Sequence, residues 1–218
     1  MLKQVQHDRP LIDFVPKLTV VSTYFDKINF DKLPNAFVIK TNHGCKWQYI
    51  IKDKKEFLQN KQLFETVKQN ITGWLEQDYS FWNWFEMQYH GIEPKILIEP
   101  YMSDDINKPP EEIHVYCFSG VPKYIIKLHN ENEITIYNEK FEITDDVFGF
   151  EENKINVKAD CNIKKTFYFS EQLSKAFHFV RMDWIVFQNN PYFAEMTFTP
   201  YSGFHILKND KELGKLII

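Results

Sequence analysis

The sequence predicts an α+β fold of two lobes, each built on antiparallel strands, and three observations predict it. Short apolar runs with strand character recur along the chain, separated by turn residues; a long segment at 54–78 carries its apolar residues at helical spacing; and an acidic, proline-bearing stretch at 103–110 interrupts the pattern near its middle. With 44% hydrophobic and 17% aromatic residues the chain has ample apolar surface for packed cores, far from the composition of a disordered segment.

Residues 1–30 read as a short lead-in segment broken by Pro10 and Pro16, and Asp31-Lys32-Leu33-Pro34-Asn35 as the turn that delivers the chain into a strand. The small lobe follows at 31–102. Residues 36–40 (AFVIK) form a buried-strand pattern that ends on the polar run Thr41-Asn42-His43-Gly44 and resumes at 49–52 (YIIK), a hairpin with a polar tip. Phe57, Leu58, Phe64, Val67, Ile71, Trp74 and Leu75 then recur every three or four residues, an amphipathic helix broken once that packs on the sheet. Residues 96–99 (ILIE) give a second buried strand.

The large lobe spans 103–218. Strands at 112–118 and 124–128 flank the turn Ser119-Gly120-Val121-Pro122, and 133–137 (EITIY) adds another. Residues 138–165 are polar and weakly periodic apart from Val147-Phe148-Gly149-Phe150, and read as a loop or insertion. Ser170 is placed to cap a short helix carrying Leu173, Ala176 and Phe177. Strands at 179–187 and 192–198 close the pattern around Gln188-Asn189-Asn190-Pro191, a hairpin signal.

Composition removes several functions. A net charge of −4 with interspersed signs lacks the basic excess of a nucleic-acid surface. Cys45, Cys117 and Cys161 are odd in number and widely spaced, which supports neither a disulfide framework nor a zinc knuckle and suits a reducing cytoplasm. No signal peptide is apparent, and nowhere do roughly 18 apolar residues run together, so no membrane insertion is expected.

The chemistry concentrates on the last hairpin. Alternation puts Arg181 and Asp183 on one face of the first strand and Glu195 and Thr197 on one face of the second, and pairing through the turn can bring the two sets together. Two carboxylates with a hydroxyl make a hard-oxygen set suited to magnesium, and Arg181 beside them suits anionic phosphate or a developing acyl phosphate. A salt-bridged, solvated sheet face accounts for the same residues, and the pattern alone leaves both readings open. Lys40 ends a strand beside the Asn42-His43-Gly44 loop, where a cation and backbone N–H groups suit phosphate oxygens, although a strand-end Lys is commonly just solvated. Glu99 opens a linker whose backbone suits an adenine edge. A Walker loop, a G-x-S-x-G elbow and a metal-type histidine pair are all absent from the sequence.

In this order the pieces resemble a known family. The strings LPNAFVIKTNHG (33–44), EMQY (86–89) with IEPKILIE (92–99), VYCFSGVPK (115–123), and FVRMD (179–183) with FAEMTFTP (193–200) are similar to the TupA-like branch of the ATP-grasp superfamily, associated with teichuronopeptide and other surface-polysaccharide synthesis. The resemblance implies an ATP-grasp fold, in which two α+β lobes grip ATP. It makes Lys40 a phosphate contact, His43 and Gly44 part of the phosphate loop, and Glu99, Pro100, Tyr101 and Met102 the adenine linker. Glu112 becomes the ribose contact, Asp183, Glu195 and Thr197 the magnesium ligands, and Arg181 the catalytic residue facing the transferred phosphate or substrate carboxylate.

The implied activity is a carboxylate–amine ligase that uses ATP and Mg2+ to activate a carboxylate as an acyl phosphate, with a small-molecule or glycan carboxylate and an amine as substrates. The alternatives are an ATP-grasp kinase or phosphotransferase, and a non-catalytic nucleotide-binding partner module. Three departures from the family pattern bear on this. Cys45-Lys46-Trp47-Gln48 replaces small residues after the loop, offering Lys46 as a second phosphate contact; Thr197 stands where many relatives carry Asn; and His114 stands where a Lys is expected. The short lead-in also implies an N-terminal pre-grasp lobe that is largely missing, or supplied by a protein partner.

Overall fold

The computed structural model describes residues 20–81, 86–145, 148–200, 208 and 210–217. The lead-in before Val20 and Val147 of the expected apolar run lie outside them. The chain divides into two units, one of Lys17–Met102 and one holding Ser103–Ile218.

In the first unit β1 (Val20–Ser22), β2 (Phe37–Thr41), β3 (Gln48–Ile51) and β4 (Ile96–Pro100) form an antiparallel sheet in the order β1-β4-β2-β3. Part of the expected lead-in therefore contributes an edge strand. It also contributes core, because single 3-10 turns at Phe25–Lys27 and Phe30–Lys32 carry Phe25 and Phe30 inward with Leu33. The helical segment breaks at Asn60, whose side chain accepts from Leu63 N and caps α2 (Lys61–Leu75) as α1 (Lys54–Gln59) ends. Phe37, Ile39, Ile96 and Ile98 alternate onto the face covered by Phe57, Val67 and Ile71. Lys40 and Glu99 alternate onto the other face.

The second unit is one sheet in the order β10-β9-β5-β6-β7-β8, from β5 (Glu111–Phe118), β6 (Val121–Asn130), β7 (Glu133–Asn138), β8 (Asn153–Lys154), β9 (Phe179–Phe187) and β10 (Asn190–Thr197). Neighbours are antiparallel except β7 and β8, which are parallel. The hairpins after β5 and β9 each turn on two residues at positive φ, Ser119 and Gly120, and Gln188 and Asn189, which suits the strand twist.

The helix of this unit is capped ten residues before the expected Ser170. Helix α3 spans Cys161–Ser174, and Asp160 caps it by accepting from the backbone N–H groups of Asn162 and Ile163. Ser170 is interior to the helix and buried, accepting a bond from Trp184 Nε1 at 3.0 Å. One face of α3 sets Ile163, Phe167 and Phe169 against Ile113, Val115, Val180, Met182 and Trp184, so one face of the sheet is sealed. On the opposite face Tyr116, Phe118, Ile126, Ile134 and Ile136 pack with Phe148 and Leu213 of a short α4 (Asp210–Gly214). The polar residues of β5, β9 and β10 share that second face. No helix among the described residues is long and apolar enough to cross a membrane.

Candidate functional site

On β9, Asp183 lies opposite His114 of β5 and opposite Glu195 of β10, while Arg181 lies opposite Tyr116 and Thr197. The expected hairpin residues therefore meet as two adjacent rows. Their meeting depends on a slip in register. Phe193 pairs with Trp184 on the α3 face, and simple alternation would turn Glu195 to that face as well; a bulge between Phe193 and Glu195 moves Glu195 across.

Arg181 grips Asp183 as a fork, Nε donating to Oδ1 and Nη2 to Oδ2, each at 2.7 Å. The Thr197 hydroxyl lies 3.1 Å from Asp183 Oδ2 and 3.2 Å from Glu195 Oε1, and accepts from Arg181 Nη2 at 3.3 Å. Its single proton serves one carboxylate at a time. Asp183 is only 6% exposed; burial works against its charge, but the charge of His114 and the Arg181 fork outweigh it and hold the carboxyl below its ordinary value. Glu195 moves the other way, raised by desolvation and by the neighbouring Asp183 carboxylate.

The donor set fits magnesium. Asp183, Glu195 and Thr197 are hard oxygen donors, and magnesium accepts one or two carboxylates completed by phosphate and water. Among the described residues no group of three or more His, Cys, Asp or Glu side chains could hold a metal ion. Arg181 already engages both oxygens of Asp183.

His114 and Tyr116 belong to this face, although only His114 drew notice in the sequence, as a departure. His114 Nε2 is 3.3 Å from Glu112 Oε2, which places Glu112, the expected ribose contact, along β5 beside the acidic pair. Tyr116 is buried and pairs with Arg181 across β5 and β9. The E-x-H-x-Y alternation of β5 is the signal that could have found all three.

The residues expected to hold the nucleotide in the first unit are placed unevenly. Lys40 Nζ is 2.6 Å from Glu99 Oε1, so the expected phosphate contact and the first linker residue pair with each other. Pro100 continues β4, and Tyr101 N donates to Ala36 O, which fixes the linker backbone before Met102. His43 departs from the expected phosphate loop. It is 2% exposed, bonded through Nε2 to Trp74 O at 2.9 Å, and its Nδ1 is buried with no partner among the described residues. Gly44 is demanded by packing, since a Cβ there would lie 2.4 Å from the Trp47 ring. Lys46 is exposed at the tip with φ of 60°, a left-handed conformation that a side chain adopts at a cost.

The two sheets define a protein of the ATP-grasp fold. Crystal structures of D-alanine–D-alanine ligase from Bacillus anthracis match at 21% identity, one with a TM-score of 0.52 over 92% of this chain and 56% of that chain. The other, complexed with ATP, has a TM-score of 0.50 over 93% and 57%. The ATP-grasp ligase PsnB complexed with minimal precursor matches at 9% identity and a TM-score of 0.50, over 95% of this chain and 57% of that one. At such identities the likeness is one of fold, and the chain spans little more than half the length of each structure. No curated protein matches the sequence. The chain belongs to the TupA-like ATPgrasp family, whose profile matches residues 9–218.

Proposed function

We propose that the chain is an ATP-dependent carboxylate–amine ligase working through an acyl phosphate, with a carboxylate of a surface polysaccharide or its uronic-acid precursor as acceptor. The observation that carries this reading is the bulged hairpin, which sets Asp183, Glu195 and Thr197 together around the Arg181 fork on a chain of ATP-grasp family. The D-alanine–D-alanine ligase of like fold is a ligase crystallised with ATP, which supports the reaction class. The polysaccharide acceptor rests on the family resemblance alone.

In this reading Asp183, Glu195 and Thr197 would hold magnesium with the nucleotide, where the metal would supply screening of the phosphates' negative charge. Arg181, drawn off Asp183, presents its fork to a phosphate oxygen or the acceptor carboxylate. Glu112 orients the ribose. Lys40 and Lys46 contact phosphate oxygens, and the backbone at Glu99–Met102 reads the adenine edge.

The grip of Arg181 on both Asp183 oxygens favours one competing reading, a module that binds nucleotide without turnover. Calorimetry with ATP, with and without Mg2+, followed by mass spectrometry of a reaction containing glucuronic acid and L-glutamate, separates the readings. Magnesium-dependent binding and an amide product support the ligase. Asp183→Asn and Glu195→Gln should each weaken magnesium-dependent ATP binding about tenfold, on the order of 1.4 kcal/mol. Binding with no product in any acceptor–amine pair points to the module, and a phosphorylated acceptor without amide to a kinase.

A further inference from the structure

The loop between β2 and β3 is closed by Thr41 N, which donates to Trp47 O at 3.1 Å. Asn42 holds one flank, its backbone N–H donating to Lys95 O at 3.1 Å, its Nδ2 to Glu93 O at 3.0 Å, and its Oδ1 accepting from Lys95 N at 2.7 Å. Trp47 holds the other, its ring parallel to that of Trp74 at 5.8 Å and edge-on to Tyr79 at 4.8 Å. His43 reaches across between them. Trp74 O can only accept, so Nε2 carries the proton and donates, tying the loop to one of the last carbonyls of α2.

Packing leaves two features of this loop unexplained. His43 Nδ1 is buried with no partner among the described residues, so an apolar ring of similar shape would fill the space without an unsatisfied nitrogen. Lys46 is exposed at φ of 60°, a conformation that suits glycine, and makes no hydrogen bond or ion pair among the described residues. Lys40, the other cation expected at the phosphates, is instead paired with Glu99. Left-handed backbone at a side-chain-bearing residue persists where the surrounding structure imposes it, and such positions gather at ligand sites.

We infer that His43 is the positioning residue of this loop, and that by holding it to α2 the imidazole keeps Lys46 in the left-handed conformation that offers its ammonium group to nucleotide phosphate. This role rests on the nucleotide-binding reading above and involves no contact between the histidine and the nucleotide. Asn42 and Trp47 fix the ends of the loop. Without the bond to Trp74 O the residues between them can relax, Lys46 falls back to the right-handed region, and its ammonium group leaves its place.

Glutamine and asparagine separate the two ring nitrogens. The Nε2 of a glutamine lies as many bonds from Cβ as that of histidine and can donate to Trp74 O, whereas an asparagine amide reaches only the position of Nδ1. In calorimetric titrations of the whole chain with MgATP, His43→Asn and Lys46→Gln should each bind about tenfold weaker than the parent, the loss of one hydrogen bond from a charged group. His43→Gln should bind like the parent. The double variant His43→Asn/Lys46→Gln should bind no weaker than Lys46→Gln alone, because both changes act through one ammonium group. Without nucleotide, hydrogen exchange of the backbone at 43–48 should quicken in His43→Asn and stay parental in His43→Gln. Losses that add in the double variant, unchanged affinity or exchange in His43→Asn, unchanged affinity in Lys46→Gln, or a His43→Gln chain as weak as His43→Asn overturn the inference. A His43→Asn chain that does not fold overturns it too, since the histidine then serves the fold alone. A parent that binds MgATP but forms no amide leaves it standing while the ligase reading fails, and a parent that binds no MgATP overturns both.

Discussion

Ala194 sits at the bulge that turns Glu195 across the sheet to face Asp183. Nothing in the string Tyr192-Phe193-Ala194-Glu195 announces it, because a bulge is a property of the pair of strands and alternation is read from one. The Asn42-His43-Gly44 loop shows the converse, since its residue types suit phosphate while its packing decides the outcome. Gly44→Ala would drive a methyl group into the Trp47 ring, which stacks on Trp74. It should cost about 1–3 kcal/mol of stability in urea unfolding, and an unchanged midpoint would mean that the ring can move aside. Cys117 gives a chemical test of the sealed face. Burial pushes its thiol up to about 12, so it should resist iodoacetamide at pH 8 in the native chain while exposed Cys45 and Cys161 react. Peptide mass mapping reads the outcome directly, and native labelling of Cys117 would contradict the packing of α3.

Helix α3 shows what sequence reading of an element loses. Ser170 and the apolar residues after it have helical spacing, yet they form the C-terminal part of a longer helix whose start lies in a polar stretch. Asp160 supplies that start, and the same carboxylate takes a bond at 2.7 Å from Lys127, which is 6% exposed and also 3.0 Å from Glu111. The cap was a legible residue type, whereas its buried partner on β6, 33 residues earlier, was not. Asp160→Ala removes the cap and one of the two counter-ions of Lys127, which keeps Glu111, and should cost roughly 1–2 kcal/mol. Asp160→Asn keeps a capping side chain and should cost less. Burial raises the Asp160 carboxyl, but Lys127 and the helix N–H groups outweigh it and leave it below its ordinary value. Its contribution is therefore fully present above the ordinary carboxylate value of 3.8 and lost as pH falls through the lowered one. Urea unfolding of parent and Asp160→Asn at pH 7 and at progressively lower pH should show the difference shrinking in strong acid. A difference that grows instead would reverse the assignment.

At the scale of the whole chain, the strand runs and the helical segment were legible because they are local signals, and by its contacts the chain clusters into two units. The face on which β5 joins β9 was not legible, since Tyr116 and His114 gain meaning only once Arg181 and Asp183 lie opposite them. In the ligase proposed above, that arrangement would make metal and nucleotide interdependent. With Arg181 on both oxygens of Asp183, a divalent cation arriving alone meets a carboxylate already neutralised. A phosphate group competes for the guanidinium, and each ligand then favours the other by the same free energy. The melting temperature should accordingly rise little with Mg2+ alone or with ATP in EDTA, and by more than their sum with both. At a hundredfold excess over Kd the stabilisation is about 2.7 kcal/mol, or several degrees for a chain of this size. Arg181→Gln should loosen the interdependence, so that Mn2+ followed by electron paramagnetic resonance binds the nucleotide-free variant more tightly than the parent. Equal Mn2+ affinity in the two proteins would show that the fork does not restrain the metal, and additive melting shifts would show that nucleotide and metal bind independently.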